Sequence, residues 1–222
     1  WAVDWLVTRI PPETEAQVFS SVPPETLIPL KQADPSGHPA WRVWQDTLER
    51  LRIHPAVPRL DYRLALVDWD QPNAFAIPGG IIAVTSSLVQ AVGEDRMAIA
   101  MILGHELGHF AHRDHLRSLG RSVVIGLLIS TLLGGSDFGL LGNMAVDLVH
   151  LRYSRKQEEQ ADLFGARVAI DTLGQAEGFD RFLRQLAERD QLPSWAYMFS
   201  THPDPKQRIQ ALETFIRNYR SE

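Results

Sequence analysis

Apolar positions first fall at helical spacing in one early stretch. Trp41, Trp44, Leu48 and Leu51 line one face of a helix over residues 41–53, which Pro55 stops. The period then changes. "DYRLALVDW" (61–69) predicts a strand, and "NAFAIPGGIIAVTSSLV" (73–89) predicts two more, joined at Pro78-Gly79-Gly80. Asn73 and the glycine pair read as structural, shaping that hairpin, and the strand through Ala74–Ile77 offers an edge to an extended peptide. "GEDRMAIAMILGHELGHFAHRD" (93–114) predicts a helix with acidic residues in its first turn and an apolar body. "SRKQEEQADLFGARVAIDT" (154–172) and "GFDRFLRQLAER" (178–189) predict two more. A last helix starts at Asp204, with Pro205 at its first position and Gln207 closing a capping box. The expected class is α+β, mainly helical with a small sheet. Seven of the fourteen prolines lie in residues 1–40, which therefore read as an arm of short elements leading into one compact domain over 41–222.

Residues 122–135, "SVVIGLLISTLLGG", are too short to span a bilayer, which takes about 20 apolar residues. They read as a buried core helix, or with "FGLLGNMAVDLV" as a hairpin in peripheral contact with a membrane through residues 122–149. Asp137 and Asp147 weigh against full insertion.

Composition narrows the chemistry. A net charge of −5 without a basic stripe argues against nucleic acid. The chain has no cysteine, so a metal site must be built from histidine and carboxylates. It begins at Trp1 without a methionine, which reads as a processed or trimmed product that a signal peptide or membrane anchor could have preceded.

Four of the eight histidines (His105, His109, His112, His115) fall in "HELGHFAHRDH" (105–115). Positions four apart on a helix differ by about 40° and 6 Å of rise, so His105 and His109 can bracket one ion. Glu106, about 100° round from His105, sits beside that ion without having to bind it. Two imidazoles for a zinc ion and a neighbouring carboxylate for the water are what a zinc hydrolase needs. This composition gives about 0.015 chance occurrences of HExxH, so the motif is a signal. Gly108, beside the same face, reads as room for water and substrate.

Two sources compete for the third ligand. His115 would complete a metzincin-like pattern, but the glycine that turns that chain back is replaced here by His112. On a continuing helix His115 lies about 15 Å from His105 along the axis, so it reads as a surface residue. The alternative is "QEEQADLFGARVA", where Glu158, Ala161, Asp162, Gly165 and Ala169 share one face. Its small residues admit another backbone. Of Glu158 and Asp162, one can ligate zinc while the other accepts a ligand histidine's ring N–H. Glu159 points away, and Arg155 and Arg208 read as ion-pair partners.

On these motifs the chain resembles the HtpX-like family of zinc metalloendopeptidases, whose relatives include the type I CAAX prenyl protease. The resemblance covers roughly residues 60–210 and rests on "NAFAIPGGIIAVTSSL", "HELGH", "SRKQEEQAD" and "THPDPKQRI", in the family's order. It implies a zincin-like, gluzincin domain acting on polypeptide substrates, with one Zn²⁺ per chain. It implies His105, His109 and Glu158 as ligands, Glu106 as general base, Asp162 as the support of a ligand histidine, and His202 reaching toward the metal cleft. Protein quality control in a bacterial cell envelope, periplasmic or membrane-attached, is the implied setting. Integral members span the membrane near 122–150, where this chain has only short apolar runs. The rival reading is a non-proteolytic chaperone or assembly factor whose metal, closed by His112 or His202, only joins two helices. The intact Glu106 argues against it.

Overall fold

A helix that is apolar on every side must lie inside the molecule, and the segment carrying the histidines does. The computed structural model describes residues 11–20, 28, 30–118, 153–174 and 205–219. The elements, numbered over those residues, are α1 (Pro12–Ser20), α2 (Trp41–Leu51), β1 (Arg63–Val67), β2 (Ala74–Ile77), β3 (Ile81–Thr85), α3 (Ser86–Val92), α4 (Arg96–Ala111), α5 (Asp114–Ser118), α6 (Arg155–Leu173) and α7 (Pro205–Tyr219). Every residue of α4 from Met97 to Phe110 is buried. Around it pack α2, through Trp41, Trp44, Leu48 and Leu51, then α6 and the sheet.

The three strands are ordered β1-β3-β2, with β1 parallel and β2 antiparallel to β3. The β2–β3 hairpin is the one expected, turning at Gly79 and Gly80, whose φ values are 86° and 83°. Both its strands are buried throughout, so they show no inside–outside alternation. The class is therefore α+β, mostly helical with a small mixed sheet.

Three boundaries depart from expectation. "SSLV" does not extend β3: the Thr85 hydroxyl accepts from Leu88 N–H at 3.2 Å and starts α3. The acidic pair expected in the first turn of α4 precedes it, and Asp95 is the N-cap, accepting from the N–H groups of Met97 and Ala98. The far end of α4 also stops early, at Ala111. Arg113 takes a left-handed φ of 61°, and the chain restarts as α5. The helix expected over 178–189, the Asp204 cap and the apolar run 122–135 lie outside the described residues. Among those described, no helix is long and apolar enough to cross a membrane.

The crossing of α4 and α6 sets the distance between the two halves of the site, and small residues set the crossing. A Cβ on Gly165 would stand 2.7 Å from the backbone nitrogen of His105, and one on Gly104 2.9 Å from Gly165 Cα. Gly108 has the same role rather than the expected one of making room for substrate: its Cβ would lie 2.8 Å from Ala161 Cα. Gly165→Ala must push two backbones apart. Despite a helix-propensity gain of about 1 kcal/mol, overpacking of about 1–3 kcal/mol should lower the urea midpoint. An unchanged or higher midpoint would refute the tight crossing.

Candidate metal centre

Where α4 crosses α6, the ring nitrogens of His105 and His109 meet the Glu158 carboxylate. His105 Nε2 lies 3.1 Å from His109 Nε2 and 3.6 Å from Glu158 Oε2, and His109 Nε2 lies 3.9 Å from Glu158 Oε1. One ligand atom from each residue lies within 4.8 Å of the others, the one such grouping among the described residues. All three residues are at most 1% exposed, as is Glu106.

Each imidazole is pinned from behind. His105 Nδ1 donates to Asp162 Oδ1 at 2.9 Å, and His109 Nδ1 donates to Asp114 Oδ2 at 3.1 Å. Burial alone would raise the Asp162 carboxyl, but the Arg208 and His105 contacts hold it at about 2. Asp114 is likewise below the usual carboxylate range: its bonds to His109 and Gln157 outweigh burial. Two ionised acceptors place the protons on Nδ1, so both Nε2 atoms can turn lone pairs toward the same point. Lone pairs 3.1 Å apart repel unless a cation lies between them. A proton can serve, and His105 is pushed above its usual value: burial opposes the charge, but Asp162, Glu158 and Glu106 outweigh it. A metal ion suits the same field. Nitrogens about 2.0–2.1 Å from one zinc stand about 3.3 Å apart at a tetrahedral angle, close to the separation seen. The residues therefore fit such an ion.

The carboxylates around that point are balanced by one buried guanidinium. Arg208 from α7 binds Asp162 through both oxygens, at 2.6 and 2.7 Å, and its Nη1 lies 3.4 Å from Glu158 Oε2. Tyr153, just before α6, stacks on the His109 ring with centroids 3.9 Å apart.

Among the sequence-derived candidates, the structure brings together His105, His109, Glu158, Glu106 and Asp162. His202 lies outside the described residues. His115 is not the surface residue expected. Because α4 breaks at Arg113, His115 turns inward and is fully buried, with Nδ1 on the His109 carbonyl at 3.2 Å and Nε2 on Glu15 at 2.7 Å. It is absent from the cluster that could hold an ion. His112 ends α4 with its ring edge-on to Phe164, at 5.9 Å. Sequence reasoning missed Asp114, Tyr153 and Gln157. Gln157 was legible as a helix cap, since Ser154 and Gln157 form a capping box, but not as the donor to Asp114 at 2.8 Å.

The comparisons agree with this chemistry. The sequence model of peptidase family M48 matches residues 42–216. A protein named Protease HtpX homolog from Salinibacter ruber is 28% identical, over 76% of this chain and 72% of its own length. Another of that name, from Thermodesulfovibrio yellowstonii, is 26% identical over 71% and 70%. The mitochondrial metalloendopeptidase OMA1 of Schizosaccharomyces pombe is 25% identical over 82% of this chain but only 55% of its own.

Proposed function

The chain belongs to peptidase family M48, and on that premise we propose that it is a zinc-dependent endopeptidase of the gluzincin kind, with His105, His109 and Glu158 as protein ligands. Membership makes it a metallopeptidase; the metal's identity and the residue roles are our reading. The observation that carries the reading is the convergence of two pinned imidazole Nε2 atoms and the Glu158 carboxylate on one buried point. Zinc there would supply a Lewis acid for a water molecule and the scissile carbonyl.

The chain's own groups do the rest. Glu106, buried beside the cluster, takes a proton from the attacking water and returns it to the leaving amine. Asp162 and Asp114 keep each imidazole in the tautomer that leaves Nε2 free to bind. His202 donates to the developing oxyanion. Residues 41–222 form the protease domain and 1–40 an arm, a division supported by the family match over 42–216. Polypeptides are the substrates, and protein quality control in the cell envelope is the setting that the HtpX-like resemblance favours. Among the described residues β2 pairs with β3 alone and packs against α4, and its other side is where an extended peptide would lie.

Glu158→Ala tests the ligand set. Its zinc affinity should fall by more than the 10–100-fold that a residue supporting a ligand costs. Equilibrium zinc binding against a chromophoric chelator reads this, and native affinity in the variant would remove Glu158 from the site.

A further inference from the structure

Helix α1, from the proline-rich arm, inserts a buried carboxylate under the end of the metal-site helix. Glu15 is 2% exposed. It accepts from His115 Nε2 at 2.7 Å and from the Gly79 N–H at 3.2 Å, and it pairs with the Arg113 guanidinium. We propose that Glu15 is a positioning residue for the metal centre: through Arg113 and His115 it holds the turn that presents Asp114 to His109 Nδ1. The inference rests on His109 being a metal ligand.

The turn needs holding. Arg113 has a φ of 61°, a left-handed conformation that a side chain with a Cβ disfavours. It lies between the end of α4 and Asp114, so relaxing it displaces the Asp114 carboxylate. Both residues flanking Asp114 are tied to the one Glu15 carboxylate. His115 Nδ1 also meets the His109 carbonyl, and its ring packs on Phe110 at 4.6 Å. Both its nitrogens therefore face oxygen atoms, Nε2 the Glu15 carboxylate and Nδ1 the His109 carbonyl. Burial works against the Glu15 carboxylate, yet His115 and Arg113 hold it ionised. On Asp114 itself, Gln157 and Arg117 hold only the other oxygen. The clamp thus sets the backbone while Gln157 trims the side chain.

The test is zinc affinity of the folded full chain, measured below the melting temperature with a competing chelator. Glu15→Gln should raise the zinc Kd about 10-fold, the lower end of the range for residues that support a ligand, and Asp114→Asn about 10–100-fold. Because both act through one contact, Glu15→Gln placed in Asp114→Asn should add less than about threefold. Phe19→Ala truncates another buried α1 side chain, which packs against Gly79. It should lower the melting temperature and leave the zinc Kd unchanged, which separates positioning from stability. Should Glu15→Gln not fold, His115→Gln removes one of the two Glu15 ion pairs, leaves the Arg113 pair, and should still raise the zinc Kd, by less than Glu15→Gln. A native zinc Kd in Glu15→Gln, or a loss that adds in full to that of Asp114→Asn, would overturn the clamp. His109→Ala is the control: it should abolish tight binding, and if it binds zinc normally the site assignment itself fails and the clamp with it.

Discussion

Glu106→Gln should leave the fold intact and most of the metal affinity in place, yet reduce peptide hydrolysis by about 10²–10⁴-fold. The substitution keeps the shape of a side chain that is 1% exposed, so packing around α4 is preserved. It leaves His105, His109 and Glu158, and the carboxylates behind the rings, untouched. What it removes is an acceptor for the water's proton. It also removes one negative charge beside His105, where Glu106 helps hold a positive charge, so zinc affinity should fall modestly. Turnover of casein by equally metal-loaded native and variant chains decides the matter. Comparable turnover would favour a metal that only joins two helices.

Asp162→Ala should have the largest effect on stability. The Asp162 carboxylate accepts from Arg208 twice and from His105 once, and both partners are buried. Without it the Arg208 guanidinium, 4% exposed, keeps Glu158 at 3.4 Å as its remaining carboxylate among these contacts. Breaking a buried pair from one side costs about 3–5 kcal/mol, a large part of a domain's usual 5–15 kcal/mol. Urea unfolding of the metal-free chain reads this, and a loss under about 1 kcal/mol would contradict the account. The pH dependence follows with a definite sign. The folded carboxyl sits at about 2 against an ordinary 3.8. Its stabilising contribution is therefore complete above 3.8 and is withdrawn as pH falls through about 2. The variant's unfolding should lack that part of the acid loss.

The residues that sequence could place are those whose partners follow from helical period. His105 and His109 share a face at i, i+4, and Glu158, Asp162 and Gly165 share another, so a helix–helix contact bearing the ligands was legible. The misplacements arise where a distant partner decides local structure. Nothing in "HFAHRDH" signals a helix end, because no glycine or proline stands there. The break at Arg113 is held by Glu15, 98 residues away. Asp114 and His115 were lost with it, the one as His109's partner and the other as a buried residue. Gly108 was misread for the same reason: its neighbour, Ala161, comes from α6. The start of α3 at "SSLV" is a different case, since Thr85 as an N-cap was visible but the apolar run continued the strand's pattern.

The central claim is that one metal sits between the two imidazoles and Glu158. Anomalous diffraction collected on both sides of the zinc edge, from crystals of the full chain grown with zinc, tests it most directly. The account predicts one strong peak per chain, about 2.0–2.2 Å from His105 Nε2, His109 Nε2 and a Glu158 oxygen, with a non-protein oxygen at the fourth position. A peak placed on His112 or His115, or a shell closed by four protein ligands, would contradict it.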